Sequence, residues 1–309
     1  MQHIQNISAQ KVSWVKSNKE ALEKNSDAIK NLWYPETIDE LTNLIRDFQM
    51  KGSQYDLIGY SSNTLFLPSY TIDNLICTKK LSEWRETEDA IICDCGVNVA
   101  MLSKEMLKKG YKGFFGLIDL PGTIASGVYG NCGCFDCSVC ELLDSFTMLT
   151  SEGDIKTYHV DDLKLQFRST SLKRHELSGT ILQVVLKKIQ GNAEEEQAKA
   201  NQAHATRLAT QPNAANNLGS TFNGSDWTLK GKFLMRLDRF FLHVVHIQSA
   251  SQRIKIVITL LGGKKYSKYL YSWNRFMFYD NFSYLLFSKY EKFLKSICSD
   301  VHLEIEIRK

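Results

Sequence analysis

Gly116-Leu-Ile-Asp-Leu-Pro-Gly-Thr-Ile-Ala-Ser-Gly-Val-Tyr-Gly-Asn-Cys-Gly-Cys-Phe135 is the stretch on which the fold assignment turns. Gly116, Gly122, Gly127, Gly130 and Gly133 sit among small residues, and Pro121 sets a rigid turn just ahead of Gly122. Glycine is placed where the backbone needs positive φ or where another molecule approaches the main chain. So many glycines in one run, without low-complexity repetition, fit backbone amides lining a bound anion or a planar ring. They fit equally a tight turn feeding a buried small-residue helix. Composition alone leaves both readings open.

Working outward, the flanks read as alternating helix and strand. Thr37 and Glu40 form a capping-box signature ahead of Leu41, Leu44, Ile45 and Phe48, which predicts an amphipathic helix over 38–50. Tyr55 to Ile58 and Asn74 to Cys77 read as strands separated by the small-residue turn Gly59-Tyr60-Ser61-Ser62-Asn63. Ala90 to Gly96 is a further strand, and Asn98 to Lys109 a helix stopped by Gly110. Asp144 to Leu149 and Ile155 to Tyr158 predict a hairpin, and Gly179 to Leu186 a central strand. Residues 192–209 read as an exposed helix, and Lys16 to Lys24 as a solvated one. The composition turns to Asn, Ala, Gly and Ser at Gln211, marking a boundary. Beyond it, Ile254 to Leu261 reads as a strand, Tyr266 to Phe287 is aromatic-dense, about 282–296 is helical and Val301 to Ile307 is a final strand. His243 and His246 fall in an apolar, strand-like run, where packing explains them better than ligation.

The bulk numbers narrow the function classes. A chain of 309 residues with 43% hydrophobic and 11% aromatic content can build two domains around sizeable cores. Net charge is +4, and the lysines are spread along the chain, so no nucleic-acid footprint is expected. The opening Met-Gln-His-Ile-Gln-Asn lacks the apolar segment of a signal peptide, and no apolar run reaches membrane-span length. The expectation is a soluble, cytoplasmic protein whose eight cysteines are mostly reduced.

Six segments, in order, carry a resemblance. They are Pro35 to Leu41; Gly59 to Asn63; the opening stretch with Pro121-Gly122-Thr123 and Asn131-Cys132-Gly133-Cys134; Phe167-Arg168-Ser169-Thr170-Ser171; Arg207 with Thr210-Gln211-Pro212 and Gly219-Ser220-Thr221-Phe222; and Leu303 to Ile307. Together they resemble the UDP-N-acetylenolpyruvoylglucosamine reductases (UDP-N-acetylmuramate dehydrogenases). That resemblance implies an α+β protein with a two-lobed PCMH-type (vanillyl-alcohol-oxidase-type) FAD-binding domain over 1–205. A reduced C-terminal α+β substrate lobe would follow over 206–309. The family's helix and its Ser-Glu-Lys-His-Ala segment have no counterpart between Asp226 and Lys265.

The resemblance further implies FAD as cofactor, NADPH as hydride donor and a nucleotide sugar as substrate. Gly59, Tyr60, Ser61, Ser62, Asn63, Pro121, Gly122, Thr123, Gly127, Asn131, Cys132 and Gly133 would contact FAD. Reducing an enolpyruvyl double bond creates an enolate beside a carboxylate, which needs cationic stabilisation and a proton donor. Ser220 would be that donor, with Arg168 and Glu306 polarising the substrate and its enol. Taken singly, Arg168 reads as a surface ion-pair residue, Ser220 as a turn residue and Glu306 as a solvent-facing strand position. The rival readings are a paralogous flavin oxidoreductase acting on another sugar, as in surface-polysaccharide synthesis, and a non-catalytic flavin-binding or partner-binding protein. Cys132, Cys134, Cys137 and Cys140, spaced C-x-C-x-x-C-x-x-C, have the density of a metal cluster. By the resemblance Cys132 and Cys134 occupy two small alanine positions, where thiols serve packing, so no metal is expected; a covalent cysteinyl–flavin link is a further alternative.

Overall fold

A computed structural model describes residues 1–15, 28–212, 217–279 and 281–309, apart from the side chains at 281 and 282. The helix expected over Lys16 to Lys24 lies outside the described residues. The chain forms two compact units. Unit 1 is Met1–Ile7, Asp27–Tyr60 and Thr71–Ala209; unit 2 is Ser8–Ser26, Ser61–Tyr70 and Thr210–Lys309.

Unit 1 begins with β1 (Gln2–Ile7), antiparallel to β2 (Ile29–Tyr34). Helix α1 (Ile38–Lys51) is capped as its sequence foretells: Thr37 Oγ1 accepts from the Glu40 amide at 3.2 Å. The Glu40 carboxylate reaches past Thr37 to take the Glu36 amide (2.8 Å) and the N-terminal ammonium (2.9 Å). Leu41, Leu44, Ile45 and Phe48 are buried, and Gly52 ends the helix in the left-handed conformation at φ 62°. Strand β3 (Tyr55–Ile58) follows, then β4 (Thr64–Phe66) in unit 2, then β5 (Ile72–Cys77) back in unit 1. The first sheet has the order β1-β2-β5-β3, with β2 and β3 both parallel to β5.

The second sheet of unit 1 is antiparallel throughout. It is built from β6 (Trp84–Glu86) and β7 (Ala90–Asp94), then, after α2 (Val99–Lys108), α3 (Ile124–Gly130), β8 (Gly133–Cys134), β9 (Cys137–Ser138) and α4 (Val139–Leu142), from β10 (Leu143–Thr150), β11 (Ile155–His159) and β12 (Gly179–Lys187). Its order is β11-β10-β12-β7-β6, so the β-branched run of β12 is the central strand. Buried Ile91, Met106, Phe114, Val128, Phe146 and Val184 are among the residues of the core over which α2 and α3 lie. Helix α5 (Ala193–Thr210) follows, exposed along most of its length but burying Glu196, Ala200 and Ala203.

Unit 2 is an aromatic core with short strands around it. After β13 (Phe222–Asn223) come α6 (Leu229–His243), α7 (Ala250–Ile258), α8 (Lys264–Ser267), β14 (Leu270–Ser272), β15 (Arg275–Phe276), α9 (Asn281–Lys295), β16 (His302–Leu303) and β17 (Glu306–Arg308). Phe222, Phe276, Phe278 and Tyr290 are fully buried, with neighbouring ring centroids 5.3–5.7 Å apart in the Phe222–Phe287, Phe276–Phe278 and Phe222–Tyr290 pairs. Two expectations fail here. Ile254 to Leu261 is no strand: Ser249 Oγ caps the Gln252 amide, and Ile254, Val257 and Ile258 bury one face of α7 at helical spacing. The run holding His243 is helix α6, whose β-like composition is overridden by packing of Leu234 into the same core. The final strand is also split, because Glu304 and Ile305 separate β16 from β17.

Candidate functional site

The opening stretch folds as a turn, a short helix and a hairpin. Gly122 has φ 142°, a value L side chains rarely adopt. Thr123 then caps α3 with a reciprocal pair: the Ser126 amide donates to Thr123 Oγ1 (3.2 Å) and the Thr123 amide to Ser126 Oγ (3.1 Å). The amides of Ile124 and Ala125 donate to Val97 O (2.8 Å) and Cys95 O (3.2 Å), and that of Gly127 to Thr123 O (2.9 Å). The turn-and-helix reading therefore holds. The stretch is a turn feeding a small-residue helix, and among its amides from 122 to 125 only that of Gly122 carries no partner among the described residues.

The turn after β3 lies against this cap. A Cβ added at Gly59 would fall 2.6 Å from Thr123 Cγ2. Thr123 is 2% exposed and held by its cap, so no side chain fits at 59. Ser61 continues the turn in the left-handed conformation, φ 52°. The amides of Tyr60 and Ser61 carry no hydrogen bond among the described residues, and successive open amides of this kind form an anion cradle. A pocket of about 700 Å³ in unit 1 is lined by Tyr60, Trp84 and Asn98, with Lys79, Asp119 and His204 supplying charge. His204 Nδ1 lies 2.7 Å from Asp119 Oδ2, and Arg207 Nε lies 3.9 Å from the same oxygen. The pocket has the size of small-molecule sites. Tyr60 apart, these residues were missed from sequence: Asp119 stands two positions before Pro121, but nothing local marks His204 on a polar helix.

Past α3, Asn131 takes the left-handed C-cap position at φ 45°, donating from Nδ2 to Gln166 O at 2.9 Å. Its Oδ1 is shielded and accepts nothing among the described residues. Arg168, on the turn bridging Gln166 to Ser169, donates from Nη1 to Asn131 O (3.1 Å) and from Nη2 to Gly133 O. Thr170 Oγ1 donates to Tyr129 O at 2.7 Å. The segment around Arg168 thus clamps the end of the opening stretch, and the guanidinium is committed to two backbone carbonyls.

The hairpin β8–β9 turns through Phe135 and Asp136, both at positive φ (51° and 58°), the conformation of a two-residue type I′ turn. It pairs Cys134 with Cys137 across the strands. All eight cysteines are free, and among the described residues no three His, Cys, Asp or Glu side chains are grouped to hold a metal. Burial pushes the Cys137 thiol up to about 11 and that of Cys140 up to about 12, keeping both protonated. Cys132, half-buried, donates weakly to Ser126 O at 3.7 Å.

In unit 2 the other site residues gather on short strands. Asn63 Nδ2 donates to Glu304 O (3.1 Å), and the Glu306 amide donates to Asn63 O (2.9 Å). The Glu304 amide donates to Thr221 O at 3.0 Å, one residue after Ser220. Strand pairing of β4 with β17 and of β13 with β16 completes the set. Ser220 is half-buried, and Gly219 before it sits at φ 79°. Asn63, Ser220 and Glu306 are therefore brought to one region of unit 2, whereas Arg168 belongs to unit 1.

No family model matches the chain. Relatives do. The UDP-N-acetylenolpyruvoylglucosamine reductase of Caldicellulosiruptor saccharolyticus is 26% identical over 204 residues, 65% of each chain. That of Chlamydia pneumoniae is 26% identical over 202 residues, 64% of each. The chain resembles the UDP-N-acetylenolpyruvoylglucosamine reductases. The matched stretch spans just under two thirds of these relatives' length. The crystal structure of the reductase from Thermus caldophilus shares the fold, with TM-score 0.67 at 16% identity, over 100% of this chain and 98% of that one.

Proposed function

We propose that the chain is an FAD-dependent oxidoreductase that uses NADPH to reduce the enolpyruvyl double bond of UDP-N-acetylglucosamine enolpyruvate or a close nucleotide-sugar analogue. The observation that carries this reading is the contact of the Gly59 turn with the Thr123 cap. It juxtaposes open amides with a helix start at the two segments where the resemblance expects the cofactor. The residues fit the group: among the described residues the amides of Tyr60 and Gly122 are open to phosphate oxygens, and Asn131 Oδ1 is an orphan acceptor that a ring N–H would satisfy. FAD, when bound, supplies a two-electron carrier between NADPH and substrate.

The chain's own residues do the rest. Arg168 fixes Asn131 and Gly133 so that the loop end stays in place. Ser220 delivers a proton to the carbon that receives no hydride, and Glu306 steadies the enol. A hydroxyl is a weak acid and works only where its position is fixed, which the strand pairing after Ser220 favours. The second reading is a paralogue acting on another nucleotide sugar. Its support is in the sequence, where the Ser-Glu-Lys-His-Ala segment expected by the resemblance has no counterpart between Asp226 and Lys265.

The test separates the half-reactions. Under anaerobic conditions NADPH should bleach the flavin absorbance, and UDP-N-acetylglucosamine enolpyruvate should restore it. Ser220→Ala should leave bleaching intact and slow restoration by about 10²–10⁴-fold. Bleaching without restoration by this substrate moves the assignment to the second reading. An unaltered restoration rate in Ser220→Ala removes Ser220 from its role.

A further inference from the structure

Residues 227–268 concentrate charge in a way the whole chain does not. They hold nine Lys and Arg and a single acid, Asp238, whereas the chain's net charge is only +4. The remaining residues together are therefore net negative. Within this segment α6 packs one side into unit 2 through Gly231 and Leu234, with Leu237 and Phe241 partly covered. Asp238 is occupied on the covered part by Arg253, at 3.0 Å.

The other side of α6 is apolar and exposed. Leu229 (86% exposed), Phe233 (53%), Phe240 (48%) and Val244 (61%) recur at intervals of four, seven and four, which places them in one stripe. Lys232, Arg236, Arg239 and His243 are exposed along the same side, with no acid among them and no ion pair to any of the four among the described residues. A solvated face would be polar. A face for a second copy of this chain would set these cations against themselves. Large apolar side chains interleaved with cations on one face of a helix fit the interface of a bilayer, with rings in the headgroup boundary and cations on lipid phosphates.

We propose that the outer face of α6 docks the protein on an anionic phospholipid surface, lying in the interface and not spanning it. Among the described residues no helix is long and apolar enough to cross a membrane.

The full chain should co-sediment with vesicles of phosphatidylcholine containing about 30 mol% phosphatidylglycerol at about 0.1 M salt, and leave them at about 0.5 M. Pure phosphatidylcholine vesicles should retain at least about tenfold less. Phe233→Ser with Phe240→Ser, and separately Arg236→Gln with Arg239→Gln, should each weaken binding at least about tenfold, with circular dichroism and Tm unchanged. Met50→Ser, an exposed apolar side chain of α1 (81%), should change nothing. Should the phenylalanine pair not fold, the arginine pair alone decides. No sedimentation, equal sedimentation with both vesicles, or loss in Met50→Ser overturns the proposal. So does a dimer in light scattering that the Phe233 and Phe240 changes convert to monomer, which would assign the face to a second copy.

Discussion

The opening stretch of unit 1 and the α6–α7 segment of unit 2 are both rich in positions that break simple patterns, yet they solve opposite problems. Within 116–140 the amides of residues 123–127 are spent on the Thr123–Ser126 cap and on Val97 O and Cys95 O, and the carbonyls of Asn131 and Gly133 accept from Arg168. What remains open there is a small set of polar atoms. Residues 229–258 instead tie down one helix side with a buried arginine: Arg253 donates to Asp238 and, at 2.8 Å each, to Ile247 O and Gln248 O. The other side is left apolar and cationic. A loop built to hold a small ligand presents few, fixed groups; a surface built to meet something larger presents many repeated ones.

The sharpest way to break the comparison is at Gly59. Gly59→Val meets Thr123, which cannot turn without losing its cap, so flavin uptake should vanish and stability fall by about 1–3 kcal/mol. Absorbance after FAD addition and thermal unfolding check this; normal uptake would show that the contact is not the cradle. Arg168→Met should cost about 2 kcal/mol by orphaning the carbonyls of Asn131 and Gly133 and should speed thiol labelling of Cys132 and Cys134. A labelling rate that does not move would mean the clamp is not closed in solution.

On the other side of the comparison, Arg253→Met should loosen α6 and α7 by about 1–3 kcal/mol without altering flavin absorbance. Hydrogen exchange localised to 229–258 is the readout, and protection lost across unit 1 as well would contradict it. The last effect is alkaline. Burial raises Cys93 and Cys140 to about 12 and Cys137 to about 11, from an ordinary thiol value of 9.0. Above about pH 9 the unfolded chain releases these protons and the folded chain does not, so stability is full below pH 9 and falls progressively towards pH 12. Denaturant titrations at pH 8 and pH 10.5 should show the loss, and replacing Cys140 with Ala should shrink it.

Much of this was legible in the sequence where local chemistry agrees with packing. Thr37, Asn98 and Thr123 cap helices as their side chains dictate, and the β-branched run at 179–187 lies at the sheet centre. The glycine-rich stretch announced a special backbone, although its amides proved mostly spent. Illegible were features set by tertiary contact. Strand β1 is polar and pairs only because β2 offers an edge, and α7 looks extended in sequence until Ile254, Val257 and Ile258 find the aromatic core. Asp119 and His204 stand 85 residues apart and share a pocket only because α5 lies across it. The commitment of Arg168 to backbone carbonyls likewise had no local signal, because the Arg168 turn and the loop end it clamps meet only in the folded unit.

On the proposed reading, the Gly59 turn and the Thr123 cap hold FAD. Titrating purified chain with FAD, and reading bound flavin by absorbance after gel filtration, tests it most directly. The unaltered chain should be yellow with stoichiometric flavin, and Gly59→Val should carry none. A colourless unaltered chain that takes up no FAD would contradict it.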